Sequence, residues 1–280
     1  MNHKERLAQL GEETVNIVNQ GYYVLHSGNK VNIKEKVNQS IQRTELYSPK
    51  DTNDLLLKII PNQQYETVIE ITNETTLAAA KRLLNEGTEK VIALNFASAR
   101  NPGGGFLKGS TAQEESLSRA SSLYHSLISK EQMYEYNRKL KTCLYSDYMI
   151  YTPGAVVFRN DSGKLEEKPY HVSFITSPAV NAGVVRMKES IAAKYQIHPV
   201  MKKRIEKILS LGIYHGYDTI VLGAFGCGVF KNNPADVARY FKEAIYQNPK
   251  FKNQYKRIVF AVLDTTDEKR TYNSFKQILG

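Results

Sequence analysis

The chain has 280 residues, with 38 Lys plus Arg against 28 Asp plus Glu, a formal net charge of +10. Its 41% hydrophobic content supports a sizeable core and excludes a disordered tail protein, and no apolar run is long enough to span a membrane. Two cysteines, Cys143 and Cys227, exclude a disulfide framework and a four-ligand zinc site.

The start, Met1-Asn2-His3-Lys4-Glu5-Arg6, leads into an amphipathic stretch rather than an apolar one. That is no secretory signal, so a cytoplasmic, reducing compartment is expected. Residues 5–19 read as a helix with Leu7, Leu10, Val15 and Val18 on one side, ended by Gly21. Tyr22-Tyr23-Val24 reads as a short strand. Residues 25–60 are polar and mixed, with a turn at Ser48-Pro49.

From residue 67 the pattern changes. Strands are expected at 67–72, 91–96, 171–176, 219–222 and 258–263, and helices at 76–84, 113–127 and 234–246, with a short helix closing the chain. Met149 to Arg159, with Thr152-Pro153-Gly154 inside it, reads as a strand pair inserted at an edge. Near-continuous apolar strands alternating with helices predict a mostly parallel sheet covered on both faces, an α/β fold in three layers. Lys202-Lys203-Arg204 and Lys207 read as the solvated face of a helix whose apolar side is Met201, Ile205, Ile208 and Leu209. The positive charge favours an anionic partner without selecting one, since no nucleic-acid-binding motif accompanies it.

In open α/β sheets ligands bind beyond the carboxyl ends of the strands. Two of those loops are rich in glycine. The first runs Asn95-Phe96-Ala97-Ser98-Ala99-Arg100-Asn101-Pro102-Gly103-Gly104-Gly105. Consecutive glycines reach positive φ and let a backbone approach a ligand closely. Gln113-Glu114-Glu115 then opens a helix, where Thr111 and Glu114 have the spacing of a capping box. A helix start folded back over the strand end brings both carboxylates near whatever the glycines hold. Adjacent helical residues point about 100° apart, so Glu114 and Glu115 cannot serve one atom from one side. Division of labour between two carboxylates is what glycosidic cleavage requires.

The second loop, Gly223-Ala224-Phe225-Gly226-Cys227-Gly228-Val229-Phe230, follows a strand and suits a phosphate-binding turn. Its spacing and late position fit a dinucleotide fingerprint poorly. Cys227 is read as packing rather than as a nucleophile, because no His is linked to it by a motif. His171, His198 and His215 lack metal-ligand spacing, and neither a metal nor a cofactor is expected.

Asn95-Phe96-Ala97, Asn101-Pro102-Gly103-Gly104-Gly105 and Gln113-Glu114-Glu115 together resemble the signature of the macrodomain-type poly(ADP-ribose) glycohydrolases of the microbial branch. The resemblance extends over most of the chain. It implies a three-layer macrodomain-like core with a mixed, mostly parallel sheet and an N-terminal helical extension. Residues 1–60 would then be an accessory section packed on a catalytic domain of residues 61–280. It implies Glu115 as general acid–base, Glu114 on the hydroxyls of the ribose being cleaved, and Gln113 positioning the pair. Asn95 and Asn101 would contact ribose, and Gly103, Gly104 and Gly105 would pass the distal ribose and phosphate. Residues Gly223 to Phe230 would wrap the diphosphate, with Phe225 or Phe230 against the terminal ribose. The turn 73–76 would take the adenine, with Glu70 and Thr72 as candidates there. The implied partner is ADP-ribose or its polymer on protein or nucleic acid, with no membrane and no stable protein partner. Three readings stay open beside it: a hydrolase for another ADP-ribose linkage, a non-catalytic ADP-ribose reader, and a phosphatase or nucleotide module on the second loop.

Overall fold

The computed structural model describes residues 2–280. Helix α1 (His3–Gln20) starts in a capping box, in which the Asn2 side chain accepts from the Glu5 amide and Glu5 answers the Asn2 amide. Gly21 ends it in the left-handed region at φ 79°. Strands β1 (Tyr22–Val24) and β2 (Lys30–Asn32) form an antiparallel ribbon. The polar stretch that follows is more ordered than its composition predicts. It holds α2 (Lys34–Gln42), β3 (Glu45–Tyr47) and α3 (Pro49–Lys58). Ser48-Pro49 is a helix start rather than a turn: Ser48 Oγ accepts from the Asp51 amide, and Pro49 occupies the first turn.

The core continues through β4 (Val68–Thr72), α4 (Thr76–Asn85), β5 (Ile92–Phe96), α5 (Gln113–Ala120), α6 (Leu123–Ile128) and α7 (Gln132–Lys139). Next come β6 (Met149–Arg159), β7 (Leu165–Ser177), α8 (Ala182–Lys188), α9 (Ile191–Tyr195) and α10 (Ile197–Tyr214). The chain finishes with β8 (Thr219–Leu222), α11 (Pro234–Lys242), β9 (Arg257–Ala261) and α12 (Arg270–Leu279). Among the described residues the main sheet has seven strands in the order β3-β6-β7-β5-β8-β9-β4. β7, β5, β8, β9 and β4 run parallel, while β3, β6 and β7 pair antiparallel. This is the mixed, mostly parallel sheet expected.

Side chains alternate across the sheet, as a pleated strand requires. Ile92, Leu94, Ile220, Leu222, Ile258 and Phe260 join the core beneath α3, α10, α11 and α12. Ala93, Val221, Val259 and Ala261 join the core beneath α4, α5, α6 and α7. The three layers follow from that alternation.

Two expected elements differ. The helix over 113–127 breaks at Ser121, which is extended at φ −147°, ψ 175° and bridges Val157 of β6. Ser122 reinforces the break, its amide donating to the Val156 carbonyl at 3.0 Å and its Oγ accepting from the Val156 amide at 3.0 Å. Residues 149–159 are one strand rather than a pair. It pairs with β3 on one side and β7 on the other, and the register against β7 shifts between Thr152 and Ala155, where Pro153-Gly154 forms a bulge.

The helix face at Lys202–Lys207 is also corrected. Arg204 and Lys207 are 1% and 3% exposed and both bind Asp147, at 2.8 and 2.5 Å. Arg204 also donates to the carbonyls of Leu144, Tyr145 and Pro178. Only Lys202 and Lys203 of the group face solvent.

The first elements back the first glycine-rich loop. α1, β1 and α2 enclose a small core with Val156 and Phe158 of β6. A Cβ on Gly11 of α1 would lie 3.0 Å from the Phe106 carbonyl, and one on Gly109 would lie 2.1 Å from the Lys4 carbonyl. Thr14 Oγ1 donates to the Arg119 carbonyl at 2.5 Å, joining α1 to α5. β3 adds an edge to the main sheet through β6. No helix among the described residues is long and apolar enough to cross a membrane.

Candidate active site

The strands β4, β5, β7, β8 and β9 all point their carboxyl ends at one cleft of about 990 Å³. Its walls are Glu74–Leu77 after β4, Phe96–Ser98 at the end of β5, Ala179 after β7, Gly226–Phe230 after β8 and Ala261–Leu263 at the end of β9. Asn101, Gly104, Gly105 and the start of α5 complete it. Both glycine-rich loops therefore meet at one site, as the strand-end rule predicts.

Helix α5 is pinned to β5 by its first residue. Gln113 Oε1 accepts from the Phe96 amide at 2.8 Å, and its Nε2 donates to the Leu94 carbonyl at 2.8 Å and Thr76 Oγ1 at 3.1 Å. The Phe96 amide and the Leu94 carbonyl are backbone groups at a strand end, where the sheet ladder no longer satisfies them. The side chain fixes where the next two carboxylates stand.

Glu114 turns inward and is 2% exposed. Its Oε2 accepts from the Ser98 amide at 2.7 Å and its Oε1 from Asn95 Nδ2 at 3.2 Å. Burial pushes its carboxyl up to about 8, against the opposing pull of the Ser98 and Asn95 donors, and the Glu115 charge adds to the rise. The expected capping box does not form. Ala112 is the N-cap and no side chain caps the helix, because Glu114 is committed to Ser98 and Asn95 instead.

Glu115 turns to the glycine triplet. Its Oε1 accepts from the Gly105 amide at 3.0 Å. Gly104 sits at φ +60°, and a Cβ there would stand 2.4 Å from the same oxygen. A side chain at 104 would collide with the carboxylate, so this glycine is required both by conformation and by proximity. The two carboxylates thus take the separate directions that helical geometry demands.

Six expected contacts lie outside the cleft. Asn95 is fully buried and spends Nδ2 on Glu114 and Thr176, so it positions a carboxylate rather than touching a ligand. Gly103, at φ +70°, faces the rings of Phe106 and Tyr124. Gly223 is packed against the Ala261 carbonyl and Phe96. Phe225 is in the core, its ring 5.8 Å from that of Phe96, which leaves Phe230 as the aromatic of that loop in the cleft wall. Thr72 is held in the sheet opposite Ala261, its carbonyl accepting from Val262. Glu70, expected near the adenine, instead pairs with Arg82 and Arg257.

Ala224, Gly226, Cys227, Gly228, Val229 and Phe230 do line the cleft, as do Gln113, Asn101, Gly104 and Gly105. Burial pushes the Cys227 thiol up to about 12, the opposite of what a nucleophile needs. Sequence reasoning missed Ser98, whose amide holds Glu114, and the wall at Ala261–Leu263. The latter was reachable from the strand-end rule applied to the last strand.

The microbial-type PARG catalytic-domain family matches residues 11–160. A search of curated proteins finds no match. Among solved structures, a poly(ADP-ribose) glycohydrolase from Thermomonospora curvata is 40% identical with a TM-score of 0.93, covering 98% of this chain and 100% of that one. The same enzyme bound to the inhibitor ADP-HPD is 41% identical with a TM-score of 0.90, over 98% and 99% of the two chains. A poly(ADP-ribose) glycohydrolase from Deinococcus radiodurans in complex with ADP-ribose is 40% identical with a TM-score of 0.82, over 87% and 96%.

Proposed function

The chain belongs to the microbial-type poly(ADP-ribose) glycohydrolase family, and from that premise we propose that Glu115 is the general acid–base of its reaction. The enzyme hydrolyses the ribose–ribose O-glycosidic bond of poly(ADP-ribose) and releases ADP-ribose. A cleft of about 990 Å³ is of the size that a dinucleotide-sized ligand needs. The observation that carries the residue assignment is the Gly105 amide bound to Glu115 Oε1, which places one carboxylate at the glycine turn in the cleft wall.

In this reading the terminal ADP-ribose lies along the strand ends. Its diphosphate faces the backbone of Gly226–Phe230, its terminal ribose the Gly104–Gly105 turn, and its adenine the Glu74–Leu77 segment. Glu115 protonates the departing ribose oxygen as the glycosidic bond breaks, and positive charge develops at the anomeric carbon. The nearby diphosphate opposes that charge. The Glu115 carboxylate then takes a proton from water as the water oxygen bonds to the anomeric carbon. Glu114, held by Ser98 and Asn95, accepts from a ribose hydroxyl and keeps the sugar in line.

The same reading makes residues 1–60 an accessory section for a catalytic domain of residues 61–280. Support comes from the close approach of Gly11 to Phe106 and of Lys4 to Gly109, behind the glycine turn. It also takes the polymer to be attached to protein or nucleic acid. The test of the acid–base role is Glu115→Gln. Release of ADP-ribose from poly(ADP-ribose) should vanish while calorimetric binding of ADP-ribose persists. Near-parental release by this variant would reject the assignment.

A further inference from the structure

One rim of the cleft carries a run of exposed cationic side chains. Arg100 is exposed and precedes Asn101 of the cleft wall. Its carbonyl accepts from Arg138 Nη1 at 2.7 Å, which lays the end of α7 against the rim. Arg138 is itself paired with Glu131. The chain then runs through Lys139 and Lys141, both exposed. Thr142 Oγ1 and the Cys143 amide donate to Glu189 at 2.6 and 2.5 Å, next to the exposed Lys188 at the end of α8. α8 returns to the cleft: the Gly183 amide donates to the Phe230 carbonyl, and Arg186 to the Lys231 carbonyl, each at 3.0 Å. One hydrogen-bonded rim therefore joins both glycine-rich loops. Lys139, Lys141 and Lys188 form no ion pair among the described residues.

On either side of Lys188 the rim carries apolar side chains that face water. Helix α9 has no buried residue. Met187, Ile191 and Tyr195 are 74%, 70% and 76% exposed. Ala193 rests this short helix on the core, while Ile191 and Tyr195 leave apolar surface open to water.

We propose that this rim is a second, non-catalytic binding surface for the part of the poly(ADP-ribose) chain that extends beyond the unit in the cleft. Lys139, Lys141 and Lys188 face diphosphates, and Tyr195 offers a stacking face to an adenine. The inference rests on the poly(ADP-ribose) reading above. Charge complementarity commits the occupant. Every unit of the polymer alternates an anionic diphosphate with a purine, and the rim presents unpaired ammonium groups followed by an exposed ring. Purines stack on exposed aromatic side chains, and a polyanion binds such lysines with release of counterions.

The experiment uses the full chain carrying Glu115→Gln, so that binding is read without turnover. Into it go the triple change Lys139→Glu, Lys141→Glu and Lys188→Glu, or Tyr195→Ala alone. Affinity for long poly(ADP-ribose) chains and for free ADP-ribose is measured across a salt series. The triple change should weaken long-chain binding at least tenfold. Its log–log salt slope should fall by about 2, at roughly 0.7 per lost phosphate contact. Tyr195→Ala should weaken long-chain binding about tenfold with the slope unchanged. Affinity for free ADP-ribose should hold in both. Long-chain binding equal to that of the Glu115→Gln parent, or an equal loss for both ligands, would overturn the proposal. Failure of the unmodified enzyme to release ADP-ribose would sink the hydrolase reading instead, a separate result.

Discussion

The Gly105 amide donates to Glu115 Oε1 at 3.0 Å, so a backbone without side chains orients the carboxylate proposed to act on the substrate. Gly104, beside it, leaves no room: a Cβ would stand 2.4 Å from the same oxygen, at φ +60°. Gly104→Ala is expected to push the carboxylate aside by about an ångström and lower ADP-ribose release about 10²-fold. Backbone strain adds about 1–2 kcal/mol of destabilisation. Steady-state release and a urea titration check both; parental turnover would show that the position of this oxygen does not matter.

Glu114 predicts a pH dependence of stability. Its carboxyl is pushed up to about 8 from an ordinary 4.5, chiefly by burial. The folded state therefore holds this proton more tightly than the unfolded chain. The resulting stabilisation is complete below the ordinary value and is lost as pH rises through about 8. Glu114→Gln cannot ionise and should flatten that decline. Thermal melts from pH 5 to pH 9 test it: the parent should lose Tm relative to the variant as pH rises, and parallel curves would exclude Glu114 as the group.

The strands of the parallel core were legible because both faces are buried, which writes an apolar run into residues 92–96 and 219–222. The glycine loops and Glu114-Glu115 were legible because close approach and paired carboxylates restrict residue choice. What was hidden depends on partners distant in the chain. Ser121 keeps helical spacing in sequence, yet Val157 of β6 draws it into an extended bridge. Thr111 and Glu114 have capping-box spacing, but Ser98 and Asn95 hold Glu114 instead. Phe225 and Phe230 look alike in a glycine-rich loop, and only the fold turns one to Phe96 and the other to the cleft.

Arg204 and Lys207 looked like solvated charges because their partner, Asp147, is remote in sequence. Burial raises the Asp147 carboxyl, but the Arg204 and Lys207 charges outweigh it and leave the group below its usual value. Its stabilising contribution is thus present above the ordinary carboxylate range and is lost as pH falls through and below it. Asp147→Asn leaves two buried cations with no counter-charge and should cost about 3–5 kcal/mol. Urea unfolding at pH 7 measures the loss, which should shrink as the pH is lowered towards 3. A cost under about 1 kcal/mol, as for exposed pairs, would show that the triad is solvent-screened.

Cys227 lies in the wall of the cleft, within the loop assigned to the diphosphate, where a thiolate nucleophile would be easy to imagine. Its surroundings argue otherwise. Burial pushes the thiol up to about 12, and the thiol donates to the Phe225 carbonyl at 3.9 Å, an acceptor that cannot stabilise an anion. At pH 8 the thiolate fraction should be about 10³ times smaller than that of a free cysteine. Iodoacetamide should therefore label the Cys227 peptide about 10³ times more slowly than a free thiol under the same conditions, as followed by mass spectrometry. Bound ADP-ribose should slow it further by covering the loop. Labelling at the rate of free cysteine would mean that this wall admits and stabilises charge, and would reopen a nucleophilic role that the present geometry denies.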